Sequence, residues 1–110
     1  MNKTVKKLDN NVVKALTNVC EYAKGSIVGF KWITHTADYS NFPHSLIITC
    51  VFDTKDSKNL AEQNGDFVLL TRNIHNALLK VGIVLKQAKR NVQFDSEEAG
   101  AEARLLLKKH

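Results

Sequence analysis

Two histidines and an aspartate lie close together in the middle of the chain, at His35, Asp38 and His44. Imidazole and carboxylate groups are the ligands that zinc and nickel accept. The spacing matches no closed metal site, however, so it favours ordinary polar residues in a connection between strands. The sequence therefore predicts neither a metal centre nor a bound cofactor.

Motifs of the common enzyme classes are missing from the 110 residues. There is no phosphate-cradling glycine loop, no Gly-x-Ser-x-Gly elbow, no Cys-x-x-Cys and no His-Glu-x-x-His. Asp53, Asp56 and Lys58 are residue types that metal-dependent nucleases use, but no acidic-x-Lys element follows a strand at a suitable place. We therefore expect a protein without enzymatic activity.

The strongest chemical feature is a basic segment. The chain has 16 Lys and Arg against 11 Asp and Glu, and residues 67–94 carry five cations and no acidic residue. Such a segment predicts a nucleic acid or another polyanion as partner, because phosphates neutralised by lysine and arginine release counterions. The alternative is a solvated face that only aids solubility. The predicted nucleic-acid-binding residues are Arg72, Lys80, Lys86, Lys89 and Arg90, joined by Lys3, Lys6 and Lys7 near the start of the chain.

Two features argue against a standard nucleic-acid-binding motif here. Single-strand binders interleave aromatic residues with cations, but the only aromatics in this segment are Phe67 and Phe94, both at expected core positions. A helix-turn-helix around Gly82 would make residues 83–90 the recognition helix. That helix would begin with Ile83, Val84 and Leu85, an apolar run that favours a strand and offers no polar group to base edges.

Residues 37–44 form a connection too long for a tight hairpin turn. Aromatic side chains in a polar loop are good binding anchors, so we predict an interaction loop that uses Asp38, Tyr39, Phe42 and His44. The alternative is that Tyr39 and Phe42 fold back over the edge of the sheet. A run of three leucines at residues 105–107 is more apolar than one helix face requires and points to a homodimer.

The elements that position these residues follow from hydrophobic periodicity. Helices are predicted at residues 4–24, ended by Gly25, at 59–63, at 66–81 and at 96–109, the last with Ala99, Ala103 and Leu106 as its inner stripe. Strands are predicted at 27–36 and, in the interior of the sheet, at 45–53. Residues 83–86 and 91–94 are predicted to be extended and to form either one strand or two. Asp95 and Glu98 fit a capping box for the last helix. The result is a single α+β domain, residues 1–110, built as a two-layer sandwich with a small, mostly antiparallel sheet and the order α-β-β-α-β-α.

Three segments resemble a group of small, largely uncharacterised bacterial proteins that are sometimes labelled Fis-family transcriptional regulators. They are residues 30–35 (FKWITH), 46–53 (LIITCVFD) and 92–99 (VQFDSEEA). The resemblance implies a transcriptional regulator. True Fis proteins end in a helix-turn-helix, and the last 16 residues of this chain lack that pattern. The resemblance therefore assigns no functional residue.

Cys20 and Cys50 each lie inside an apolar segment and are predicted to be reduced core residues. No signal-peptide pattern follows the basic start, and no apolar run approaches the length of a membrane span. We therefore expect a cytoplasmic protein without a membrane partner. Two functions compete: a nucleic-acid-associated transcriptional regulator that binds through a basic face, and a non-enzymatic protein-interaction module that acts as a homodimer.

Overall fold

The computed structural model describes residues 3–108, and the side chains of residues 3–105. The elements follow the predicted order α-β-β-α-β-α, with a one-turn helix added and the short predicted helix extended. They are α1 (Lys3–Ser26), β1 (Phe30–Thr36), β2 (Ile47–Phe52), α2 (Lys55–Gln63), α3 (Asp66–Lys80), α4 (Ala88–Asn91), β3 (Val92–Ser96) and α5 (Glu97–Lys108). The fold is an α+β domain, as the sequence predicts.

The sheet has the order β1-β2-β3 and is mixed, with β1 antiparallel and β3 parallel to β2. Ile48 of β2 lies opposite Val92 of β3, and Phe52 lies opposite Ser96. The predicted interior strand is confirmed, because β2 is central. Because β2 and β3 are parallel, the segments that precede them meet at one end of the sheet, and the segments that follow them meet at the other.

The core lies between the sheet and the two long helices. α1 contributes Val12 and Leu16, and α3 contributes Leu70, Ile74 and Leu78, all at the three- and four-residue spacing of a helix face. Burial of one such side chain stabilises the fold by about 1.5–3 kcal/mol. Because α3 packs into this core, the position of the segment that follows it is fixed as well.

The end of α1 differs from the prediction. Gly25 does not end the helix, which continues to Ser26. The glycine that the turn requires is Gly29, which has a φ of 81°. A Cβ atom there would lie 2.5 Å from the side chain of Ser57 and 2.7 Å from Asp53 Oδ1. Gly29 thus combines left-handed backbone with close packing, and either requirement alone disfavours a side chain.

The start of α5 also differs. The Ser96 hydroxyl accepts a hydrogen bond from the Ala99 amide at 3.1 Å, so Ser96 caps the helix. The Glu98 carboxylate does not close a capping box with Asp95; it accepts from the Lys55 amide at 3.0 Å. The predicted capping box is therefore wrong. The predicted inner stripe is wrong at Ala103, which is exposed, and the side chain of its third member, Leu106, lies outside the described residues.

Residues 83–87 connect α3 to α4 without joining the sheet. Ile83 and Leu85 are buried while Val84 is exposed, which is the alternation of a strand. Of the two alternatives, one strand or two, the structure has one, because no neighbouring strand pairs with residues 83–86. The next helical residues are one turn, Ala88–Asn91, so the second helix of a helix-turn-helix is not formed.

Candidate nucleic-acid interface

The loop between β1 and β2 is held by its own polar groups. Asp38 caps a 3-10 turn at Tyr39–Asn41, and its Oδ1 accepts from the Ser40 amide at 3.0 Å and from the Ser40 hydroxyl at 2.6 Å. These two bonds hold the pKa of Asp38 below its ordinary value. The Ser45 hydroxyl donates to the Asp38 carbonyl at 2.6 Å and closes the loop. The Phe42–Pro43 peptide bond is cis.

Tyr39 anchors this loop to α1. Its hydroxyl donates to Asp9 Oδ1 at 2.5 Å, and His35 Nε2 lies 3.0 Å from the same oxygen. The bond from His35, followed by the bond from Tyr39, holds the pKa of Asp9 below its ordinary value. Burial raises the pKa of Tyr39 to about 12, and the bond to Asp9 adds to that effect. The only sequence signal for Asp9 was its place beside Leu8, next to the apolar stripe of α1.

Phe42 stacks on Tyr39 and also lines a cavity. The two rings stack with their centroids 5.2 Å apart and their planes at 26°, and both side chains are half-buried. This arrangement matches the alternative in which the aromatics fold back over the sheet edge. A cavity of about 370 Å³, which we call the loop cavity, is lined by Phe42, Pro43, His44, Ile47, Val84, Leu85, Lys86, Gln87, Arg90 and Asn91.

Asn91 ties the two sides of the loop cavity together. It is 7% exposed, and its Nδ2 donates to the Leu46 carbonyl at 2.7 Å. Longer contacts of 3.4 and 3.5 Å reach the carbonyls of His44 and Pro43. Sequence reasoning missed this residue, because an asparagine directly before a strand carries no distinctive signal.

Four of the predicted cations lie on α4 or line the cavities beside it. Lys86 and Arg90 line the loop cavity, and Gln87 Oε1 accepts from Arg90 Nη1 at 3.0 Å. Arg72 and Lys89 line a second cavity of about 400 Å³ on the other side of α4. We call Arg72, Lys86, Lys89 and Arg90 the cationic edge. The four residues come from α3, α4 and the segment that connects them, all distant from the interaction loop in sequence, and the fold brings Lys86 and Arg90 to the cavity that this loop lines.

The second cavity also has an aromatic wall. Phe67 and Phe94 stack on each other with centroids 3.7 Å apart and planes at 5°. Both rings are partly exposed and line the cavity beside Arg72 and Lys89. Both phenylalanines pack against the core, as expected, and they also line this cavity.

The remaining predicted cations line neither of these two cavities. Lys80 is in the last turn of α3, where a cation complements the helix dipole, and it lines neither cavity. Lys3, Lys6 and Lys7 are exposed on the first two turns of α1. Because Asp9 on the same helix contacts the loop, these three lysines lie at the end of the sheet that carries the loop.

Five of the eleven acidic residues lie at the opposite end of the sheet, whereas Asp9 and Asp38 lie at the end that carries the loop. The five are Asp53 and Asp56 after β2, Asp95 near the end of β3, and Glu97 and Glu98 at the start of α5. The ion pairs among the described side chains are Asp9 with His35 and Lys55 with Glu102, so no described carboxylate forms an ion pair with the cationic edge. The parallel pairing of β2 and β3 therefore places residues 86–90 and these five carboxylates at opposite ends of the sheet.

The histidine candidates do not converge. His35 contacts Asp9, the Asp38 carboxylate is bonded to Ser40, and His44 is exposed at the loop cavity. Within residues 3–105, no three His, Cys, Asp or Glu side chains are grouped as metal ligands. Over the described range, no helix has the length and apolar character needed to cross a bilayer.

Comparisons of the chain with protein-family models, with curated proteins and with solved structures give no match. The resemblance to proteins labelled Fis-family regulators therefore stays a prediction.

Proposed function

We propose that this protein is a non-enzymatic nucleic-acid-binding module, of a regulatory kind, that contacts the phosphate backbone through the cationic edge. One observation carries the proposal: Lys86, Lys89 and Arg90 lie within five consecutive residues on or just before α4, and they are exposed and have no ion-pair partner in the described part of the chain. Arg72 extends this charge along α3. Cations that the fold leaves unpaired attract phosphates more strongly than cations already in ion pairs.

The separation of charge supports the same function. Five carboxylates lie at the far end of the sheet, away from the cationic edge, which reduces the repulsion that a polyanion meets there. Lys3, Lys6 and Lys7 lie near the end of the sheet that carries the loop and extend the attraction to a longer strand. Binding in this form needs no recognition helix. The free thiols of Cys20 and Cys50 fit a cytoplasmic site of action.

The test compares two triple variants by fluorescence anisotropy with labelled single-stranded and duplex oligonucleotides. Lys86→Gln/Lys89→Gln/Arg90→Gln removes three charges from the cationic edge. Lys14→Gln/Lys24→Gln/Lys31→Gln removes three exposed charges from elsewhere and is the matched control.

We expect wild-type binding to weaken steeply with salt, and the first variant to lower the slope of log K against log salt by about 2 to 3. The control variant should keep most of the slope. Equal losses in the two variants would show that only net charge matters, and a lack of binding at low salt would remove the proposal.

A second function, a homodimeric protein-interaction module, is favoured by α5. Residues 101–105 are all exposed, and Leu105 is 60% exposed. A symmetric contact between two copies would cover this apolar surface. Analytical ultracentrifugation tests it: wild type should sediment as a dimer at any salt concentration and Leu105→Lys as a monomer. A monomeric wild type rejects this function.

A further inference from the structure

The loop cavity has the composition of a nucleotide site. Its volume of about 370 Å³ falls in the range of small-ligand sites, about 300–1,000 Å³. One part of its lining is apolar, with Phe42, Ile47 and Val84, and the other part is cationic, with Lys86 and Arg90. An apolar ligand would leave the cations without a counter-charge, and a small inorganic anion would leave the apolar wall in water. A flat ring joined to a phosphate satisfies both parts.

We propose that the loop cavity binds one unpaired nucleotide, with the base against Phe42 and the phosphate at Lys86 and Arg90. This inference rests on the proposed function and deepens it, because it makes single strands the preferred substrate. A base in a duplex has its edges paired and its faces stacked, so it enters such a cavity only after unpairing, which costs a few kcal/mol. The aromatic residue beside Lys86 and Arg90 is thus supplied by a different part of the chain.

Phe42 is held ready for this role. Tyr39 stacks on it, and the Tyr39 hydroxyl is fixed by Asp9 at 2.5 Å. Asn91 holds the backbone at residue 46 against α4. An ordered aromatic wall loses little conformational freedom on binding, which favours affinity.

One of the two cations is held in a similar way. Gln87 Oε1 accepts from Arg90 Nη1 at 3.0 Å, which orients the guanidinium without neutralising its charge. In the second cavity Phe67 and Phe94 stack on each other at 3.7 Å, so each of these rings has one face covered, as Phe42 has by Tyr39. The loop cavity differs in that its cation Arg90 is oriented, so we place the base there, while Arg72 and Lys89 serve the strand beyond it.

The experiment measures affinity for three labelled probes of equal length: a single strand, the same strand with abasic sites, and its duplex. Wild type should bind the normal single strand most tightly. Phe42→Ala should weaken that binding by about 5- to 150-fold, the range of one lost base–aromatic stack. The same substitution should leave binding of the abasic strand nearly unchanged. Trp32→Ala is the matched control, because it removes an aromatic that is 41% exposed away from the cavity.

A second variant guards against a folding defect in Phe42→Ala. Val84 is 53% exposed, so Val84→Glu places a carboxylate at the cavity without disturbing the core. It should weaken binding of the normal strand more than binding of the abasic strand. Circular dichroism establishes that each variant is folded.

The outcomes separate the two proposals. If wild type binds all three probes equally and with the same salt dependence, the nucleotide cavity is overturned while the cationic edge stands. If no probe binds at low salt, nucleic-acid binding fails. Titration with nucleoside monophosphates then distinguishes the source of the nucleotide: binding of a free monophosphate that Val84→Glu abolishes supports the cavity on its own, and no binding of any kind overturns both proposals.

Discussion

The amide of Asn91 offers the sharpest test of how the loop cavity is built. Its Nδ2 lies 2.7 Å from the Leu46 carbonyl, within the range of a normal N–H···O bond. The contacts at 3.4 and 3.5 Å to His44 and Pro43 lie beyond that range, and the Pro43 carbonyl also accepts from the Leu46 amide at 3.1 Å. Only the bond to Leu46 is therefore expected to matter for stability.

Asn91→Leu removes the donor while keeping a side chain of similar size. A buried carbonyl that loses its partner costs about 1–3 kcal/mol, so we expect a loss of about 2 kcal/mol in the free energy of unfolding. With a urea dependence of about 1–3 kcal/mol per molar, the midpoint of urea unfolding should fall by about 1 M. The exposed Asn76 on α3 is the control, and Asn76→Leu should change the free energy by less than about 0.5 kcal/mol.

Asn91→Asp extends the test to pH. The new carboxylate faces carbonyl oxygens in a buried position, so at neutral pH the loss should reach about 3 kcal/mol or more. Burial raises the pKa of such a group, so its folded state binds the proton more readily than its unfolded state. The penalty should therefore shrink as the pH falls through that pKa, because the protonated form can donate to Leu46. If Asn91→Leu unfolds at the wild-type midpoint, the amide does not hold the cavity.

Further predictions concern the turn, the loop anchor and a buried thiol. Gly29→Ala should destabilise the protein far more than Gly65→Ala in urea unfolding, since both have positive φ but only the first meets other atoms within 4 Å; equal losses would mean that backbone strain alone matters. The raised pKa of Tyr39 means that its neutral form is favoured by folding, so the stability advantage of wild type over Tyr39→Phe should be full below pH 10 and disappear as the pH rises towards 12. A pH-independent difference would show that the bond to Asp9 does not govern titration. Burial raises the pKa of Cys50 to about 12, so mass spectrometry should find Cys50 alkylated only after unfolding, and rapid labelling of the native protein would contradict its burial.

Elements with strong periodicity were predictable from the sequence. α1 and α3 each bury one apolar stripe. In α3 the four-residue spacing of Leu70, Ile74 and Leu78 places the three side chains on one helix face. β2 was predictable as an interior strand because both of its faces are apolar. Whether residues 83–86 form a second strand was not predictable, for a physical reason. The alternation of Ile83, Val84 and Leu85 indicates an extended segment beside the core, but it does not indicate whether another strand pairs with that segment.

The candidate site was predictable only in parts. The basic segment and the loop were each visible in the sequence, but Phe42 and Arg90 are 48 positions apart and no local signal connects them. Their proximity follows from the parallel pairing of β3 with β2, and the sequence indicated a mostly antiparallel sheet. Asn91 and Asp9 act through side-chain hydrogen bonds to distant parts of the chain, which residue type and spacing do not predict.

The direction of β3 therefore decides both the charge distribution and the site. If β3 ran antiparallel to β2, residues 86–90 would lie at the end where Asp53 and Asp56 follow β2, and the cations would find carboxylate partners. The parallel arrangement places residues 86–90 at the end that holds the loop and the carboxylates of residues 53–56 and 95–98 at the other end, with Val92 opposite Ile48 and Ser96 opposite Phe52. A net charge of +5 is modest for a nucleic-acid-binding protein. Its separation across the sheet gives one end of the molecule a stronger attraction for phosphates than the total would indicate.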